Sequence, residues 1–241
     1  MHSRKWMQAS VLTVLFAMGS TISNAEPRIG TAASTRPNAE AISGGNTRTL
    51  SAGSEVYANQ TVRTGNRGMA DLVFLDKTNL SVGPTSEVRL DKFVYDPRGS
   101  SGSVVVQMTR GSFRWVTGSQ VKDAYQVGTP HGTLGVRGTT VELLVNKPGE
   151  DCVTKFRLVE GKADYKVAKT GKTIHVDNPN KDNVVCIDAN GNVTYSTSTT
   201  SILSFSTTAT LPPSPSFVPG QGGGTTPITQ PTVVSPTALP L

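Results

Sequence analysis

The chain has 241 residues, 36% of them hydrophobic and 17% charged, with 23 Lys and Arg against 17 Asp and Glu and a formal excess of +6. The length suits one domain with its own core. The basic residues are scattered, without a run or a stripe, which excludes a nucleic-acid footprint.

The start of the chain is read as an address. Arg4 and Lys5 precede an apolar stretch from Val11 to Met18 (VLTVLFAM), and Ser23-Asn24-Ala25 follows it. A basic leader, a short apolar centre and a small-x-small site make residues 1–25 an export signal cut after Ala25. A retained anchor would need about 20 apolar residues, and this run is roughly half that length. No other stretch is apolar enough to cross a bilayer, so no transmembrane span is expected after cleavage, and the expected location is periplasmic or secreted. Loss of Arg4 and Lys5 lowers the excess from +6 to +4. Attraction of that size to anionic envelope polymers would fade over about 10 Å at 0.1 M salt.

Composition divides the remainder into three. Residues 26–40 (EPRIGTAASTRPNAE) are small, polar and unpatterned, and are expected as a flexible leader. Residues 41–196 are strand-like throughout. Residues 197–241 contain no charged residue and carry PPSPS, PGQGGGTTP and SPTALP, the composition of a disordered tail that cannot bury a core. Within that tail, Ile202-Leu203-Ser204-Phe205 is the one run expected to dock.

In the central region hydrophobicity has period two. Ala70, Leu72 and Phe74 alternate with Asp71, Val73 and Leu75, which predicts a strand buried on one face and largely covered on the other. Further strands are expected at 80–82, 88–95, 104–108, 113–116, 125–127, 139–145, 153–159, 163–167, 173–176, 184–187 and 193–195. Phe113 and Trp115 share a face and are read as core residues. Arg110-Gly111-Ser112 and Glu160-Gly161-Lys162 are read as turns between strand pairs, Gly83-Pro84 and Asp96-Pro97 as ladder breaks, and Asn190-Gly191 as a tight hairpin. Strands recurring roughly every 10 residues predict an all-β fold. The expected form is a solenoid-like stack of short strands with a C-terminal hairpin, and a β-sandwich is the alternative.

The two cysteines, Cys152 and Cys186, both stand in strand-like runs. An even number in an exported chain favours a disulfide, worth about 3 to 4 kcal/mol through the unfolded state. Inert thiols or half of a metal site are the competing readings, but zinc needs further soft ligands at the usual spacing and none stands there. No cofactor is expected.

Catalytic patterns are scarce. Ser119-Gln-Val-Lys122 and Lys169-Thr170-Gly171 match two of the three motifs of serine penicillin-recognising enzymes, but the third is missing and the surroundings are strand and turn. His131 and His175 fit no metal spacing. In Asp188-Ala-Asn190-Gly191-Asn192 the Gly comes too early for a helical calcium loop and no closing Glu follows. The chain is therefore expected not to be an enzyme, with a hydrolase using Ser119 and Lys122 as the weakest reading. The candidate binding residues are Arg137, whose planar fork suits a carboxylate partner, and His131 in Thr-Pro-His-Gly-Thr. The plainer readings are an Arg that satisfies a nearby acid or backbone carbonyls, and a turn residue.

One family resemblance emerges from the order of these motifs. Val62-Arg63-Thr64-Gly65, Ala70-Asp71-Leu72-Val73-Phe74-Leu75-Asp76, Leu80-Ser81-Val82-Gly83-Pro84-Thr85-Ser86, Gly111-Ser112-Phe113-Arg114, Thr129-Pro130 and Gly135-Val136-Arg137-Gly138-Thr139 succeed one another, and Val159-Glu160-Gly161 follows. The series resembles the FecR domain and covers most of residues 44–167. The resemblance implies an exported β-rich domain similar to the one through which iron-uptake regulators sense an outer-membrane transporter. Those regulators carry a cytoplasmic sigma-factor-binding region and a membrane span ahead of the domain, whereas only the export signal is expected here, so the sigma-regulator role is not carried over. What remains is a binding or scaffold module of the bacterial envelope, possessing an envelope or outer-membrane protein as its expected partner. The alternative is a module for cell-wall carbohydrate or peptidoglycan, which would need a shallow groove lined by Tyr57, Tyr95, Tyr125 or Tyr165.

Overall fold

Residues 26–98, 102–120 and 124–205 are described by the computed structural model, and the expected export signal and the tail beyond Phe205 lie outside them. The period-two pattern forms strands β1 (Arg28–Arg36), β2 (Ala39–Ser43), β3 (Asn46–Thr49), β4 (Glu55–Tyr57), β5 (Thr61–Thr64), β6 (Met69–Phe74), β7 (Asn79–Val82) and β8 (Glu87–Val94). It continues through β9 (Ser103–Val116), β10 (Tyr125–Thr129), β11 (Gly132–Val145), β12 (Thr154–Val167), β13 (Thr173–Val176), β14 (Val184–Ile187) and β15 (Val193–Ser196). All 15 belong to one hydrogen-bonded sheet. Its ladders are antiparallel except that of β9 with β10.

The sheet folds over on itself. A first layer runs β4-β1-β6-β7, then through the C-terminal parts of β9 and β11 and the N-terminal part of β12 to β14 and β15. A second runs β3-β2-β5-β8, then through the N-terminal part of β9, β10, the N-terminal part of β11 and the C-terminal part of β12 to β13. From β1 and β2 onward each layer advances in chain order, as a stack does. Their inner faces pack on one core, as in a sandwich whose corners are made by strands that change sheet.

The three longest strands turn those corners at Gly111, Gly138 and Gly161, whose φ angles are 111°, 59° and 82°. Before Gly111, β9 pairs with β8 and β10, and after it with β7 and β11. Gly111 and Gly161 are therefore bends inside strands and not the turns expected from the sequence. The segments 104–108 and 113–116 are one strand, as are 153–159 and 163–167. A positive φ redirects the backbone without ending the ladder, which only glycine does at low cost. At Gly161 even a methyl group is barred, since a Cβ would stand 2.2 Å from the Gly138 carbonyl oxygen.

The core joins the layers through aromatic pairs. Trp115 meets Tyr125 at 6.1 Å, Phe156 meets Tyr165 at 5.5 Å and Phe74 meets Phe93 at 5.7 Å between ring centroids. Around them Leu72, Leu80 and Leu143 of the first layer face Leu90, Met108 and Leu134 of the second, and all are buried. Burial of each such side chain contributes about 1.5 to 3 kcal/mol. Phe113 and Trp115 are core residues, as their alternation predicts.

Two boundaries differ from the sequence expectation. Residues 26–40 are not a flexible leader: β1 and the start of β2 place Ile29, Ala32 and Ala39 in the core, and β1 pairs with both β4 and β6. Nor does the ordered chain stop at Ser196, because residues 197–205 lie across the first layer. The C-terminal hairpin is present, with β14 and β15 joined through Asp188–Asn192. Only Gly191 of that turn has positive φ. The Asp188 carboxylate organises the rest by accepting from the N–H groups of Asn190 and Asn192, at 2.8 Å each, and from the Asn192 amide. The Asn192 bonds, side chain first, hold its pKa below the usual carboxylate value. Cys152 and Cys186 form a disulfide, 34 residues apart in sequence, that ties the entry of β12 to β14.

Candidate binding surfaces

Alternation along each strand gives the second layer an outward face that is polar and open. Arg63, Glu87 and Arg110 stand opposite one another on β5, β8 and β9. Glu87 accepts from Arg63 at 3.1 Å and from Arg110 at 3.3 Å. Arg89 pairs with Asp91 at 2.7 Å, and Gln107, Gln126, Lys162 and Lys166 extend the same exposed face.

Arg137 lies on this face beside the Gly138 bend. Its backbone N–H donates to Thr139 Oγ1 at 2.8 Å, and that hydroxyl donates to the Lys162 carbonyl at 2.7 Å, so the bend is pinned where the guanidinium emerges. The guanidinium stands 3.6 Å from Asp164 Oδ2, the nearby acid of the plainer reading, while half of the side chain stays in solvent. His175, on β13, meets the other oxygen of Asp164 at 2.7 Å and lines a cleft of about 390 Å³ with Asp177, Lys181, Asp182 and Tyr195. Sequence reading passed over Asp164 and weighed His175 only as a metal ligand, whose spacing it does not fit. The signal available was the alternation Lys162-Ala163-Asp164-Tyr165-Lys166, which sets three charged residues on one face.

His131 is not brought to Arg137. Six residues of extended chain separate them, about 20 Å along the strand at roughly 3.3 Å per residue. His131 is half-buried in the turn between β10 and β11, with Nδ1 3.3 Å from the buried Thr154 hydroxyl and its carbonyl accepting from Ala168 N–H. Burial lowers its pKa and favours the neutral ring. It lines a separate cleft of about 300 Å³ with Pro130, Lys169 and Asp188.

On the first layer the outward face is closed. The row Ser34, Asp71, Ser81, Arg114, Glu142 and Arg157 crosses β1, β6, β7, β9, β11 and β12 in register. Asp71 is fully buried and accepts from the Ser34 hydroxyl at 2.6 Å and the Ser81 hydroxyl at 2.5 Å. Glu142 is 1% exposed and held between Arg114 at 3.0 Å and Arg157 at 3.2 Å. Among the described residues no buried side-chain nitrogen or oxygen lacks a hydrogen-bond partner.

The residues of the hydrolase and glycan readings fall elsewhere. Ser119 is exposed, and its N–H and hydroxyl both donate to the Asp76 carbonyl, at 2.8 and 3.0 Å. Lys122 lies outside the described residues, and Lys169 donates to the Ala189 carbonyl. Tyr125 and Tyr165 are buried and cannot line a groove. Tyr125 instead donates to Asp76 at 2.8 Å and accepts from Gln120 N–H at 2.7 Å. Burial first, and then Asp76, push its pKa above the usual phenol value. Among the described residues no group of three or more His, Cys, Asp or Glu could hold a metal ion.

Comparison with known proteins agrees with the motifs. Residues 60–155 match the family model described as FecR protein, inside the stretch of 44–167 over which the motifs succeed one another. No curated protein matches the chain. Two crystal structures of a candidate anti-sigma factor from Parabacteroides distasonis ATCC 8503, at 1.65 and 2.50 Å resolution, are similar at 13% identity, with TM-scores of 0.46 and 0.45. The alignments cover 57% of this chain and 59% of the other, so the chain spans under two thirds of those proteins. The strand and turn motifs, their all-β setting and the family match agree on a FecR domain over residues 60–155 of this chain.

Proposed function

We propose that the chain is a non-catalytic, exported FecR module of the bacterial envelope that binds a protein partner in a signalling or transport system. The observation that carries this reading is the FecR domain over residues 60–155. The Cys152–Cys186 disulfide supports an extracytoplasmic setting, because such bonds persist in oxidising compartments. The outward face of the second layer is the surface proposed for the partner. It is broad and arginine-bearing, and opposite charges alternate on it, a pattern that favours electrostatic complementarity over deep-pocket binding.

The test is capture from envelope extracts of the producing bacterium with two full-length baits, the unaltered chain and a chain carrying Arg63→Glu, Arg89→Glu and Arg137→Glu. The expected result is a protein retained by the first bait and lost from the second. Equal retention by both would reject the surface. Sedimentation with purified peptidoglycan separates the glycan alternative, which has less support with Tyr125 and Tyr165 inside the core.

A further inference from the structure

After β15 the chain turns back and crosses the outward face of the first layer from β14 towards β7. Asp182 N–H donates to Thr197 Oγ1 at 2.9 Å. The Asn183 side chain holds Ser198 from both sides, accepting its N–H at 2.9 Å and donating to its carbonyl at 2.8 Å. Ser201 Oγ and Ile202 N–H then donate to the two oxygens of Glu142, at 2.9 and 3.0 Å. Phe205 closes the crossing over Gly83, where an added Cβ would stand 2.3 Å from the aromatic ring.

Host and strap differ in how firmly they are built. Glu142 is buried and fixed from both sides by Arg114 and Arg157, which belong to strands of the sheet, so its orientation does not depend on the strap. The strap forms no strand of its own, Ser201 is exposed, and Ile202, Leu203 and Phe205 are only half-buried. Beside Ser204 a cleft of about 410 Å³ opens between Pro84, Gly111, Ser112 and Lys147, with Arg110 at its edge. Arg110 also meets Glu87. Two cations thus border a cleft at the end of a segment that has no charged residue anywhere beyond Ser196.

We infer that this crossing is a peptide-recognition groove occupied by the chain's own Ser201–Phe205, and that its exchange ligand is an extended segment of a partner protein. That segment carries a hydroxyl residue followed by an aliphatic one, an aromatic residue three places further on, and an acidic residue just before the aromatic. The hydroxyl and the next N–H take the carboxylate of Glu142, the aromatic covers Gly83, and the acid meets Arg110 and Lys147, which the uncharged strap cannot do. The groove shares Arg110 with the second-layer surface but none of the residues altered to test that surface, so either can fail alone.

The test uses the full chain and a fluorescent peptide containing Ser-Ile-Leu-Asp-Phe, with an Asn-for-Asp peptide as control. Weakening the strap by Ser201→Ala with Phe205→Ala should tighten binding of the Asp peptide by about tenfold or more, because the competent fraction of grooves rises. The control should bind more weakly than the Asp peptide. No binding by either protein, equal binding by both, or equal binding of the two peptides would overturn the proposal. Hydrogen exchange on the unaltered chain supplies an arm that needs no variant. The Ile202 amide should exchange through local opening, far faster than that of Leu143 in β11, and equal protection would overturn the exchangeable strap.

Discussion

Two Arg–Glu–Arg rows cross this domain, one on each outward face. On the second layer Glu87 sits between Arg63 and Arg110 with its side chain 21% exposed and the arginines 46% and 53% exposed. On the first layer Glu142 sits between Arg114 and Arg157 at 1% exposure, with the chain's own strap completing its hydrogen bonds. The chemistry is the same and the surroundings are not. In water such a row contributes little to stability and stays available to a partner. Under a cover the same charges are strongly coupled, and removing one leaves the others uncompensated.

The largest expected effect follows from that contrast. Glu142→Ala should cost about 3 to 5 kcal/mol in urea denaturation, because two arginines lose the carboxylate they share in a buried site. Glu87→Ala should cost about 1 kcal/mol or less. Equal losses would break the comparison. Next comes the disulfide, which clamps β12 to β14 at the edge of the covered face. Cys152→Ala with Cys186→Ala should lower stability by about 3 to 4 kcal/mol on the loop-entropy estimate, and full retention in a reversible melt would contradict it.

The corners where strands pass from one layer to the other come third. Gly161→Ala places a Cβ at positive φ against the Gly138 carbonyl and should cost about 1 to 3 kcal/mol, read by the same denaturation. A neutral outcome would mean that the bend is not fixed at that residue. The smallest effect concerns His131. Its folded-state pKa lies below the ordinary 6.5 because burial disfavours the charged ring. The unfolded chain then binds the proton first, so stability should fall as pH drops below that value and level off once the folded imidazole is also protonated. His131→Asn should flatten that part of the profile.

Much of the fold was legible because period-two alternation is local. Leu72, Phe113 and Trp115 declare the core face without any knowledge of their neighbours. The bends were not legible. Gly111 and Gly161 carry the same signature whether the chain turns back or only changes layer, and the choice depends on which strands receive the ladder on the far side. Residues 26–40 were misread because Ile29 is their one large apolar residue, Ala32 and Ala39 add little apolar area, and their place in the sheet comes from pairing of β1 with β4 and β6 and of β2 with β3 and β5. Ile202–Phe205 stood out in the tail by hydrophobicity. Its anchor, Glu142, lies 60 residues away in sequence from Ile202 and reads locally as an ordinary charge in a strand. Of the two candidate binding residues, Arg137 stands on the open face and His131 in a separate turn.

The open outward face of the second layer is the surface proposed for the partner. Hydrogen exchange on the complex of the unaltered chain with the protein it captures tests this directly. Added protection should fall on β5, β8 and the exposed stretch of β11 and β12 around Arg137 and Asp164. Protection confined to the strap and the first layer, with the second layer unchanged, would contradict it.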